Sequence, residues 1–75
     1  MNNIIRVKLK SKTDLKEFID CVMKLSGSAR AIQGGTNVDA KSALGIASIM
    51  ENGDFELKFN GCTENEISSF SKWTI

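Results

Sequence analysis

Ser42 stands directly ahead of a run of aliphatic and small residues, Ala43-Leu44-Gly45-Ile46-Ala47-Ser48-Ile49-Met50. A hydroxyl in that place accepts a hydrogen bond from the first turn of a helix, an N-cap worth about 1 kcal/mol against alanine. The other residues that could do chemistry are few. The chain has no histidine, so no imidazole is present as a nucleophile, a general base or a metal ligand. Cys21 and Cys62 are far apart and form no Cys-x-x-Cys pair. That spacing excludes a thioredoxin-type motif, and two sulfurs without histidine make a poor zinc site. Both read as reduced, half-buried residues, and Cys21 lacks a histidine to activate it. Acyl or phosphoryl transfer needs a nucleophile–base pair or an arginine cradle. Arg6 and Arg30 instead fall within strand patterns. The expectation is a non-enzymatic protein with no catalytic residue, no metal and no cofactor.

The elements that must carry Ser42 are legible from hydrophobic period. Ile5, Val7 and Leu9 alternate with Arg6, Lys8 and Lys10, a half-buried strand with a charged outer face. Ser11 or Thr13 caps the helix that follows. Leu15, Phe18, Ile19 and Val22 form its apolar stripe, and Gly27 sits where a helix would stop. Residues 28–33 and 36–40 read as two short strands. Gly34-Gly35 between them suggests a type I′ turn with both glycines at positive φ. A short helix over 42–50 ends at Asn52-Gly53. Phe55, Leu57 and Phe59 alternate with Glu56 and Lys58 in the clearest strand, which Gly61 breaks. Thr63-Glu64-Asn65-Glu66 is a capping box. Ile67, Phe70 and Trp73 or Thr74 then line one side of a last helix, and all four phenylalanines look internal.

The order β-α-β-β-α-β-α, with one apolar face per strand, predicts an α+β domain over 1–75. Its economical packing is an open-faced β-sandwich: a four-stranded antiparallel sheet with the helices on one face. Pattern alone leaves open a ferredoxin-like sheet, which shares the first six elements and would make the chain a small binding or catalytic domain.

Seventy-five residues support one small core. The net charge of +1 conceals an asymmetry. Residues 1–24 hold six basic and three acidic side chains, a balance of +3; residues 51–75 hold two basic and five acidic, a balance of −3. The overall charge argues against nonspecific nucleic-acid binding. Readers of RNA on such a sheet stack bases on outward aromatics, and the first strand offers Arg6, Lys8 and Lys10 instead. No apolar run approaches the length of a membrane span, and no signal-peptide core is present. These features predict a soluble, unexported, cytoplasmic protein without nucleic-acid or membrane partners.

Lys41-Ser42-Ala43-Leu44-Gly45-Ile46-Ala47-Ser48-Ile49 resembles the segment around the regulatory serine of the HPr family, the phosphocarriers of the bacterial sugar phosphotransferase system. Family members carry Lys-Ser and then a pattern such as Ile-Met-Gly-Val-Met-Ser-Leu. This chain matches it in the lysine, both serines and the glycine, with aliphatics elsewhere. The Phe55, Leu57, Phe59, Gly61 series and the acidic start of the last helix are also similar. The family's other motif, a Gly-Leu-His-x-Arg-Pro loop, is missing. Counting back from Ser42 puts Ser11 at the position of the family histidine, Thr13 at the arginine and Asp14 at the proline. A serine phosphate is a stable ester and cannot relay its phosphoryl group as a phosphohistidine does.

The resemblance implies an HPr-like protein without histidine phosphotransfer, similar in logic to the branch that acts only in carbon catabolite regulation. It implies Ser42 as the target of the HPr kinase, with phosphotransferase-system proteins or a transcriptional regulator as partners. It also implies that Ile46 and Ile49 point inward, while Lys41, Ala43, Leu44 and Ala47 form the partner-binding surface. The outward residues are smaller than the bulky ones of the family, so docking would be weakened or redirected.

Overall fold

The computed structural model describes residues 3–75. Its elements are β1 (Ile4–Val7), α1 (Lys12–Met23), β2 (Ser28–Gln33), β3 (Thr36–Asp39), α2 (Ala43–Met50), β4 (Phe55–Asn60), α3 (Glu64–Ser68) and a 3₁₀ turn (Ser71–Trp73). The strands form one antiparallel sheet in the order β1-β4-β2-β3. Among the described residues this is a four-stranded open sheet with three α-helices, an α+β arrangement.

Strand alternation becomes two unlike faces. Phe55, Leu57 and Phe59 of β4 are buried, as are Val7, Ala29 and Ala31 on the neighbouring strands. They join Phe18 and Val22 of α1, Ile46 and Ile49 of α2, and Phe70 and Trp73 near the C-terminus in a single core. Glu56, Lys58 and Asn60 of β4, with Arg6 and Arg30, point the other way, and none of them is buried. The alanines of β2 have a packing reason. Ala29 lies opposite Phe59, and Ala31 lies between Leu57 and Val38, so small residues in the central row make room for large ones. Gln33 is the last residue of β2, opposite Thr36 at the hairpin turn. Its Nε2 donates to the carbonyls of Ile49 at 2.8 Å and Asp54 at 3.1 Å, tying β2 to the end of α2.

Four details differ from the expectation. Only Gly34 of the hairpin has positive φ, at 55°, which is the sign pattern of a type II′ turn rather than I′. Gly27 does not stop α1, which is capped at Lys24. It lies against the segment leaving β4, where a Cβ would come within 2.1 Å of the Asn60 carbonyl oxygen. The last helix ends at Ser68 and gives way to the 3₁₀ turn. The chain then rejoins the sheet edge: Val7 bridges Thr74, Lys8 N–H donates to the Trp73 carbonyl and Ile75 N–H to that of Arg6. A continuous helix would forfeit these bonds. Ala40, expected within the second hairpin strand, follows it and donates its N–H to the Ala29 carbonyl.

The capping box is present. Thr63 Oγ1 accepts from Glu66 N–H at 3.2 Å, and Glu66 Oε1 accepts from Thr63 N–H at 2.8 Å. Glu66 also takes the N–H and hydroxyl of Ser26, at 2.7 and 2.9 Å, so one carboxylate clips the α1–β2 loop to α3. The bond from Thr63 N–H, followed by those from Ser26, holds its pKa below the ordinary 4.5. The Arg6 guanidinium does the same for Asp54 through a 2.7 Å bond. A carboxylate whose folded pKa is lowered contributes stability above its ordinary pKa and loses it as pH falls through the folded value. The urea midpoint is therefore expected to fall on acidification below pH 4.5. Glu66→Gln should flatten that fall; an acid profile overlying wild type would remove Glu66 from this role.

Candidate functional site

The connection from β3 to α2 is built around two short polar side chains. Asp39 Oδ1 accepts from Lys41 N–H at 2.9 Å, and Ser42 N–H donates to the Asp39 carbonyl at 2.9 Å. This local turn delivers Ser42 in extended backbone, φ −82° and ψ 103°, as the N-cap of α2. Its Oγ accepts from Gly45 N–H at 3.1 Å, and its carbonyl accepts from Ile46 N–H at 3.0 Å. Gly45 is needed for closeness. A Cβ there would lie 3.2 Å from both Ser42 Oγ and Val38 Cβ, so the first turn of α2 rests directly on β3.

Burial of Ile46 and Ile49 sets the rotation of α2. Lys41, Ser42, Ala43 and Leu44 are then consecutive exposed residues around its start, with Leu44 86% exposed. Ala47 is half-buried and adds only part of its surface. The serine hydroxyl thus sits in the open, beside a cation and a large apolar side chain, at the positive end of a helix dipole. The dipole and Lys41 would favour negative charge on that oxygen. Among the described residues the hydrogen bond made by Ser42 Oγ is the one from Gly45 N–H.

Ser11 occupies a comparable place at the start of α1. Its Oγ accepts from Asp14 N–H at 3.1 Å, and Asp14 Oδ2 accepts from Lys10 N–H at 2.9 Å, a reciprocal cap. Ser11 and Asp14 therefore serve the helix end. No hydrogen bond joins Ser11 to Ser42 among the described residues.

Both cysteines are free and half-buried. Cys21 Sγ lies 3.2 Å from Ser69 Oγ beside a hollow of about 330 Å³ between α1 and α3. Arg6 is bound by Asp54 at 2.7 Å and Glu56 at 3.2 Å, so it serves the sheet surface rather than a nucleophile. Among the described residues, no group of three or more His, Cys, Asp or Glu side chains is placed to hold a metal ion, and no helix is long and apolar enough to cross a membrane. Sequence reading missed one feature. Arg30 and Lys58 are cross-strand neighbours on the outer sheet face, above a hollow of about 540 Å³. Their alternation was visible, but only the register of β2 on β4 puts them side by side.

No protein-family model matches the chain, and neither a curated protein nor a solved structure is found similar to it.

Proposed function

We propose that this chain is an HPr-like regulatory protein of the bacterial phosphotransferase system, acting in the cytoplasm by docking and by phosphorylation on Ser42. The observation that carries the reading is the exposed Ser42 hydroxyl at the N-cap of α2, flanked by Lys41 and Leu44. The γ-phosphoryl of ATP passes to Oγ, ADP leaves, and the hydroxyl proton goes to the kinase. The product gains about −1.5 to −2 charges where first-turn N–H groups and Lys41 favour them. A phosphoserine there is a stable mark, read by a transcriptional regulator or a phosphotransferase-system partner, and not a relay. The strand order supports this reading over the ferredoxin-like one. A ferredoxin-like sheet has its first and third strands at the centre, whereas here β1 and β3 are the edges.

Incubation with ATP and a bifunctional HPr kinase should label the wild-type protein and leave Ser42→Ala unlabelled. Equal labelling of both would put the acceptor elsewhere. Separately, Leu44→Glu should leave stability within about 0.5 kcal/mol of wild type, since the side chain is exposed. It should weaken capture of a phosphotransferase-system partner, and a large stability loss would mean that Leu44 packs within the protein.

A further inference from the structure

We infer that the outer face of the sheet holds a second site, which takes a small oxyanion-bearing ligand between Arg30 and Lys58. These residues lie on the two central strands and are direct cross-strand partners. Like charges placed opposite each other destabilise a sheet unless something neutralises them. Arg6 is paired with Asp54 and Glu56, and Lys72 with Glu17 at 3.1 Å; the remaining lysines, like Arg30 and Lys58, form no ion pair among the described residues, but only Arg30 and Lys58 are placed directly opposite each other in the sheet register. Asp39 lies opposite Arg30 in register, but its Oδ1 is engaged by Lys41 N–H. Glu56, two residues before Lys58 on the same face, is engaged by Arg6.

The cationic pair also has shape around it. Asn37 accepts from Arg30 Nε at 2.9 Å, with its carbonyl 3.5 Å from Nη2, which steadies the guanidinium and leaves Nη1 for a ligand. The hollow beneath, about 540 Å³, is lined by Asn3, Ser28 and Asn60 as well as the apolar Ile32 and Phe59, the latter buried in the core. That volume lies within the range of small-molecule sites. Two adjacent cations with amide and hydroxyl donors suit a carboxylate or phosphate group. None of the outward positions of the described strands is aromatic, so stacked bases are not the ligand. The site lies on the face opposite α2 and does not depend on the Ser42 reading.

Titration of the isotopically labelled protein with inorganic phosphate, and separately with citrate, at constant ionic strength tests this site and distinguishes the two anion types. Saturable amide shifts confined to the central strands around Arg30 and Lys58 are expected with at least one anion. Binding should be weakened about tenfold or more in both Lys58→Gln and Arg30→Gln, as loss of a charge-assisted contact requires. Shifts that do not saturate with either anion, that chloride reproduces, or that persist unchanged in either variant would overturn the proposal.

Discussion

Gly27→Ala is expected to destabilise the protein by about 3 kcal/mol or more, a large share of the roughly 5 kcal/mol typical of a domain this size. The reason is the approach of two backbones. A Cβ on residue 27 would lie 2.1 Å from the Asn60 carbonyl oxygen and 2.6 Å from the Gly61 carbonyl carbon. Neither contact is the end of a flexible side chain. Relief requires separating the α1–β2 loop from the end of β4, where Glu66 also clips that loop through Ser26. Gly35→Ala provides the contrast. Nothing lies within 4 Å of a Cβ there, and its φ is not positive. That variant should fold with unchanged or slightly raised stability. Urea denaturation of the two variants tests the pair, and equal midpoints would mean that the close approach at Gly27 does not exist.

Phe18→Ala is expected to cost about 3–5 kcal/mol. Phe18 is fully buried, and its ring meets Phe55 at 5.9 Å, Phe70 at 5.5 Å and Trp73 at 5.6 Å, all edge-on. It brings α1 against both β4 and the C-terminal segment, which also meet each other through Phe59 and Phe70 at 5.3 Å. Removing it leaves a cavity that these three elements cannot close together. The single tryptophan supplies a second reading. Trp73 is buried, so its emission should move to longer wavelength in the folded variant as the cavity loosens its surroundings. A variant as stable as wild type, with unshifted emission, would contradict the placement of Phe18 at the centre of the core.

These two residues also mark what the sequence made legible. Phe18 was readable because helical period places it with Leu15, Ile19 and Val22, and burial follows from period alone. The alternation of β4 and the Thr63–Glu66 box were readable for the same local reasons, whereas the inward Ile46 and Ile49 were expected from the family resemblance. Gly27 was misread because glycine after a helix has a local explanation, while its contact with Asn60 and Gly61 is 33 residues or more away in the chain. The break after Ser68 was likewise hidden. Ile67, Phe70 and Trp73 keep helical spacing, but pairing of Thr74 with Val7 pulls the chain back to the sheet. At the candidate sites, Ser42 was visible as a cap before a short helix. The Arg30–Lys58 pair was not, because strand register is a tertiary property.

Which phosphoryl donor this chain accepts separates a regulatory mark from a relay. Intact-mass measurement after incubation with ATP and the HPr kinase, beside phosphoenolpyruvate and the first enzyme of the phosphotransferase system, tests it most directly. The expected result is the gain of one acid-stable phosphate from ATP, lost in Ser42→Ala, and none from phosphoenolpyruvate. A phosphate acquired from phosphoenolpyruvate and passed onward, or no phosphate from ATP, would contradict it.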